Sequence, residues 1–365
     1  MSALIAMLKP LADARRFEVL HALGIHARPR GTGYIRISDP MSRDRDPSLV
    51  IWTHGGRLTF RRYGSDAAGD IIDLVAYLHG WPRGSREAVR WLADFVGLER
   101  LTPAQRRLAA ARAHKLIEQE QHHHDEKLSL ARADAFGLWR AATPIEGSLG
   151  EVYLRSRGIV LRDLPDGVRG GARTPSALRF LPAHRHVESG RTLPCLIAAC
   201  VDFACFAARP PRAAKPMIQA VHRTWLKPDG SGKADVAPVK KVWPSYAGLV
   251  IPLWRGASNL SVRDAIASGL RETLVLTEGI EDGLSAVVAN PEHRVWAAIS
   301  LNNLANVPIP ECIDGIIVHR QRDWHNLQAV AAFEAAIGKL EATGRPVAIV
   351  EALAGKDLND TLRGE

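Results

Sequence analysis

Cysteine is scarce in this 365-residue chain: there are four, and none stands before Cys195. A disulfide framework is therefore excluded. Cys195, Cys200 and Cys205 recur at five-residue intervals, whereas paired zinc ligands are separated by roughly two to four residues. The apolar stretch Leu193–Cys205 reads instead as a strand with small buried thiols. Few cysteines and no secretory leader predict a reducing, cytoplasmic setting. Long apolar runs are missing too. None approaches the ~20 residues that a membrane-spanning helix needs, so no membrane partner is expected. Acidic residues are outnumbered, 39 Asp and Glu against 48 Lys and Arg, for a formal charge of +9. That balance favours a polyanionic partner, most often nucleic acid. Hydrophobic content of 46% and charged content of 24% are ordinary for a globular chain, and the length suffices for two or three domains.

Four segments separate by composition. Residues 1–98 open with a helix and a basic turn (Arg28-Pro29-Arg30). Alternating segments at Tyr34–Ser38, Ser48–Thr53 and Arg57–Tyr63 then predict a small antiparallel sheet, followed by a helix over Ile71–Leu78. Residues 99–149 form a helical spacer, free of Pro and Gly from Ala104 to Phe136. Its His122, His123 and His124 point in different directions on a helix and read as a solvated face, not a metal site. Residues 150–262 read as mixed α+β, with strands at Thr192–Cys200 and Ile218–Trp225. In residues 263–365 apolar strands alternate with helices: Thr273–Thr277, helix 281–290, Arg294–Ile299, Gly315–His319, helix 324–341 and Val347–Glu351. That pattern predicts a parallel, Rossmann-like α/β sheet.

Ligands of such sheets bind at the carboxyl ends of the strands. The first strand ends in Glu278-Gly279-Ile280-Glu281-Asp282, the third in Arg320-Gln321-Arg322-Asp323, and the fourth is followed by Gly355-Lys356-Asp357-Leu358-Asn359-Asp360. Glu278, Asp282, Asp323, Asp357 and Asp360 are therefore expected at one edge, as hard oxygen ligands suited to Mg2+ or Mn2+. Any one of these acids alone is more often a helix cap or a solvated charge.

The run Leu274–Ala286, LVLTEGIEDGLSA, resembles the glutamate motif of the Toprim domain found in bacterial-type and phage or plasmid primases, topoisomerases and related nucleases. Gly315–Asp323 stands where that family has a strand ending in Asp-x-Asp, and GKDLND at Gly355–Asp360 resembles its third acidic motif. The resemblance implies Glu278 as the catalytic residue and a metal ligand, with Asp282, Asp323, Asp357 and Asp360 holding or orienting the ion. One departure stands out: Gln321 replaces the first aspartate of Asp-x-Asp, between Arg320 and Arg322, which weakens the metal site.

Upstream, His222–Leu226, Asp229–Lys233, Lys240-Lys241 and Gly248–Val250 resemble the basic subdomain that precedes Toprim in primases. This implies that Arg223, Lys233, Lys240 and Lys241 contact template or nucleotide phosphates. Gly230-Ser231-Gly232-Lys233 is not a P-loop, because Lys227 occupies the first glycine position and Ala234 follows the lysine. Residues 31–78 resemble the primase zinc ribbon in outline, through Asp46-Pro47-Ser48-Leu49 and the segment Gly64–Leu74. Yet Ser38, Arg62 and Ser65 stand where relatives carry cysteines, so no zinc is expected. Arg57, Arg61 and Arg62, with Trp52 and Tyr63 nearby, are candidate contacts for single-stranded DNA.

The expected function is that of a DNA primase-like protein of a phage, plasmid or integrative element. It would use single-stranded DNA and ribonucleoside triphosphates, with a replicative helicase as a further partner. The alternatives are a catalytically impaired DNA-binding replication accessory protein and, third, a Toprim nuclease.

Overall fold

A computed structural model describes residues 2–27, 29, 33–42, 47–63, 65, 67–164, 175–207, 217–322, 325–352 and 355–364. Arg28, Arg30, Asp46, Gly64, Asp66 and Asp323 lie outside the described residues. The chain divides into two compact units, Met1–Ser129 and Leu130–Glu365.

In the first unit, strands β1 (Tyr34–Ile37), β2 (Leu49–Trp52), β3 (Thr59–Arg62) and β4 (Ala68–Asp70) form an antiparallel sheet in that order. Helices α1 (Ser2–Ala14), α2 (Arg16–Ala22), α3 (Ile71–Leu78) and α4 (Arg86–Phe95) accompany it. Helix α5 (Pro103–Ala141) begins in this unit and ends in the next, one helix where the composition allowed one or two. Leu8, Ile35, Leu49, Ile51, Phe60, Ile71, Leu74 and Leu92 meet in the core. Helix α3 starts where it does because Asp70 and Asp73 form a reciprocal capping box.

Register sorts the arginines of β3. Arg61 pairs with Val50 and Thr59 with Trp52, so Arg61 and Thr59 share one face while Phe60 and Arg62 take the other. Arg62 turns inward. Its Nε donates to Asp39 Oδ2 at 3.0 Å, Tyr77 donates its hydroxyl to the same oxygen at 2.5 Å, and the Met41 amide donates to Oδ1 at 3.0 Å. The Asp39 side chain is fully buried. This network ties the chain after β1, the end of β3 and helix α3 together.

A second buried acid, Asp13, accepts from the Leu58 amide at 3.0 Å. Burial, opposed by that bond, pushes its carboxyl up to about 6. A raised folded pKa contributes stability below the unfolded value, and this contribution is lost as pH rises through about 6. Asp13→Asn should therefore gain about 1–3 kcal/mol at pH 8 and nothing near pH 4. Urea unfolding at the two pH values checks this, and equal effects at both would disprove it.

In the second unit, β5 (Thr143–Pro144), β6 (Leu178–Arg185), β7 (Thr192–Asp202), β8 (Met217–Trp225) and β9 (Lys240–Trp243) form an antiparallel sheet in sequence order. Helices α6 (Leu149–Ser156) and α7 (Ala204–Ala207) belong to the same stretch. Cys195 and Cys200 are buried in β7, and burial pushes the Cys195 thiol up to about 12. Cys205 lies beyond the strand, in α7.

The last sheet has the order β10-β12-β11-β13-β14, from β10 (Ile251–Arg255), β11 (Glu272–Thr277), β12 (Arg294–Ala297), β13 (Ile313–Arg320) and β14 (Val347–Glu351). Four strands are parallel. A fifth strand, β10, which precedes residue 262, joins antiparallel to β12 at the edge of the expected parallel sheet. Helices α8 (Val262–Ala267), α9 (Ile280–Ala289), α10 (Leu301–Leu304), α11 (Leu327–Glu341) and α12 (Leu358–Arg363) complete this part. Gly283 lets α9 lie close to the sheet: a Cβ there would sit 2.3 Å from Leu253 Cδ1 and 3.0 Å from Thr277 Oγ1.

Candidate active site

The central strand β11 ends at Thr277, and α9 begins at Ile280 with Gly279 as its N-cap. Glu278 and Gly279 are thus the whole connection. Glu278 is half-buried and lines a small pocket with Leu301, Arg320, Gln321, Val330 and Phe333. The Arg320 guanidinium lies over the Phe333 ring, 4.8 Å from its centre. Asp282, in the first turn of α9, is only 5% exposed. Gln321 joins the two places, because it lines the Glu278 pocket and its Nε2 donates to Asp282 Oδ2 at 3.1 Å.

The third motif reaches the same place through the backbone. The Arg322 amide donates to the Lys356 carbonyl at 2.9 Å, and the Asn359 amide donates to Asp282 Oδ1 at 3.3 Å. Asn359 is fully buried, and its side-chain nitrogen donates to Ser285 Oγ and to the Arg157 carbonyl. It docks α12 onto α9, a role its neutral side chain among acids gave no reason to expect. Asp357 caps α12 by accepting from the Asp360 amide at 3.0 Å. Burial and the Asp357 charge push the Asp282 carboxyl up to about 6.

Asp360 departs from the expected set. Its carboxylate accepts from the Lys356 amide at 3.0 Å and lies 4.0 Å from Arg157, so it closes the Gly355–Asp360 loop. Gly355, at φ +65°, gives it room, since a Cβ there would sit 2.3 Å from Asp360 Cβ.

Asp282 and Asp357 are hard oxygen donors whose mutual repulsion a divalent cation would relieve, and the side-chain oxygen of Asn359 is buried with no hydrogen-bond partner among the described residues. This chemistry fits Mg2+ or Mn2+. Among the described residues, however, no three His, Cys, Asp or Glu side chains converge closely enough to hold a metal ion.

Beside the acids stand two of the expected basic residues, Lys233 and Lys240, gathered on Glu281, a partner the sequence did not disclose. Glu281 is 7% exposed and accepts from Tyr153 Oη at 2.5 Å, Lys233 Nζ at 2.9 Å and Lys240 Nζ at 3.4 Å. Burial alone would raise its carboxyl pKa, but the Lys240 and Lys233 charges and the Tyr153 hydroxyl overcome it and hold the group well below the ordinary carboxylate range. Burial and the Lys240 charge push His222 down to about 3, so this neighbour adds no charge.

The expected phosphate contacts thus divide. Lys233 and Lys240 are paired with Glu281, and Lys241 is paired with Glu188 at the surface. Arg223 is half-buried over the Trp225 ring, 5.3 Å from its centre. In the first unit Arg57 and Arg61 are exposed, whereas Arg62 belongs to the Asp39 network and is withdrawn from the candidate DNA contacts. The register places Tyr34, Trp52 and Arg36 on the outward face with Arg61.

Residues 273–365 match the Toprim domain family, and residues 130–253 match a domain of unknown function, DUF7146. No curated protein sequence matches the chain. Among solved structures, the zinc-binding and RNA polymerase domains of the Aquifex aeolicus primase are 15% identical, with 98% of this chain and 82% of that one covered, at a TM-score of 0.37. A DNA primase domain from Pseudomonas aeruginosa is 13% identical over 64% of this chain and 75% of its own, also at 0.37. The primase fragment of the bacteriophage T7 primase-helicase is 16% identical over 51% and 62%, at 0.31.

Proposed function

With residues 273–365 forming a Toprim domain, we propose that this chain is a primase-like protein of a phage, plasmid or other mobile element. It binds single-stranded DNA and joins ribonucleotides by metal-dependent nucleotidyl transfer. The observation that carries the reading is the meeting of three strand ends at Asp282, which faces Gln321 from β13 and Asn359 and Asp357 from α12.

Glu278, Asp282 and Asp357 would hold the ion, with Asp323 as the expected further ligand. When bound, the ion neutralises charge on the transferring phosphoryl group. Glu278, which directly follows β11, would hold the ion or help to take the proton of the primer 3′-hydroxyl. That oxygen bonds to the α-phosphorus of the incoming nucleotide as the bond to pyrophosphate breaks. The exposed Arg57 and Arg61 would pair with template phosphates, and Trp52 with bases.

Glu278→Gln should abolish primer synthesis on single-stranded templates with Mg2+ or Mn2+, while DNA affinity stays within about twofold, since the exposed arginines lie in the other unit. DNA affinity itself should fall steeply between low and moderate salt. A second reading, a DNA-binding replication accessory protein without catalysis, is favoured by the Gln321 amide already bonded to Asp282. If neither the native protein nor Gln321→Asp extends ribonucleotides with either metal, the catalytic reading is lost and the accessory reading stands.

A further inference from the structure

We propose that Glu281 is a positioning residue that sets the affinity of a polyphosphate subsite made by Lys233 and Lys240. The two ammonium groups reach Glu281 from different places in the basic subdomain, Lys240 from the edge strand β9 and Lys233 from the turn after β8. The carboxylate beneath them is a tenth exposed, whereas each lysine side chain keeps about a third of its surface open, 34% and 36%. Two cations therefore sit between one buried anion and solvent. Their outward sides form a compact pair suited to a pyrophosphate group, since the lysine ammonium acts on phosphate as a point charge.

Glu281 does two things to this pair. It aims both amino groups at one spot, with Tyr153 fixing the carboxylate from behind. It also reduces the cluster from two net positive charges to one. Because Glu281 directly precedes Asp282 in α9, the same bond fixes the subsite against the acidic turn. A lysine pair without this counter-ion would hold polyphosphate more tightly and release it more slowly. The identity of the ligand as the polyphosphate of a nucleotide rests on the nucleotidyl-transfer reading. The charge arrangement does not.

The test is calorimetric binding of inorganic pyrophosphate to the full chain at low salt without divalent ions, which needs neither template nor turnover. Glu281→Gln should bind about tenfold more tightly than the native protein, the size expected for one charge removed a few ångströms from the anion at a partly exposed site. Lys233→Ala should weaken binding by about as much, and Glu281→Gln with Lys233→Ala should return it near the native value. Glu281→Asp, which withdraws the carboxylate by one methylene and is a milder change to the fold, should tighten binding about two- to threefold. Unchanged affinity in Glu281→Asp and in Lys233→Ala would overturn the proposal, leaving the cluster a structural ion pair. A chain that binds pyrophosphate in this pattern but makes no primers would sink the catalytic reading alone.

Discussion

Asp39→Ala is expected to remove about 3–5 kcal/mol from the stability of the N-terminal unit. The reason is what remains behind. Arg62, whose side chain is 21% exposed, loses its ion pair with Asp39. The Tyr77 hydroxyl and the Met41 amide lose their bonds to the Asp39 carboxylate. Orphaned buried donors cost about 1–3 kcal/mol each when no water reaches them. Since a domain is stable by only about 5–15 kcal/mol, the unit should unfold at moderate temperature. Asp39→Asn keeps an acceptor oxygen without the charge and should lose about half as much. Asp39→Ala with Arg62→Ala should cost less than the two single losses added, because both single changes break the same ion pair. Urea unfolding and hydrogen exchange of the Ile71–Leu78 amides read these effects. A change below about 1 kcal/mol in Asp39→Ala would refute the network's role.

The same network shows where the sequence could be read and where it could not. Arg62 stands at a position that the zinc-ribbon resemblance assigns to a ligand, and it was grouped with Arg61 as a DNA contact. The period of two along a strand already separates those neighbours onto opposite faces, so the inward turn of Arg62 was legible. Its partner Asp39 was not, because the two stand 23 positions apart in sequence and no local pattern links a loop aspartate to a strand arginine. The core of the Toprim sheet was legible for the opposite reason. Leu274–Leu276 in β11 and Ile316–Val318 in β13 are short apolar runs, with Val347–Val350 of β14 at the more exposed edge, and the segments that follow these strands carry the acids. The edge strand β10 was missed because it is short and antiparallel and begins before the recognisable motif. The Glu281 cluster was hidden by distance, with Lys240 41 residues and Tyr153 128 residues away in sequence. In a run of three acids within five residues, a further charge reads as solvated until its partners are seen.

Gln321→Asp is expected to convert the candidate site from one that tolerates the absence of metal into one that depends on it. In the native chain the Gln321 amide gives Asp282 the positive partner that an ion would otherwise supply, at 3.1 Å. Aspartate is one methylene shorter and donates nothing. The change withdraws the side chain and sets a second carboxylate opposite Asp282, beside Asp357. Burial and Asp357 already push Asp282 up to about 6, and another negative charge raises it further. A raised folded pKa means that stability is full below the ordinary aspartate value and falls as pH climbs through the raised one. Without divalent ions the variant should therefore match the native protein near pH 4 and be about 1–3 kcal/mol less stable at pH 8. Added Mn2+ or Mg2+ should reverse this, since the gap left by the shorter side chain admits an ion with oxygen ligands at about 2.0–2.1 Å. At a concentration ~100 times its dissociation constant an ion contributes about 2.7 kcal/mol. Thermal melts at pH 8, with and without Mn2+, should show a large metal-dependent rise in Tm for Gln321→Asp and a small one for the native chain. Arg320 and Arg322 work against the ion but are offset in part by the added charge. If the variant melts like the native protein and ignores both metals, Gln321 does not stand where a metal ligand would act, and the acidic turn is not the centre of the site.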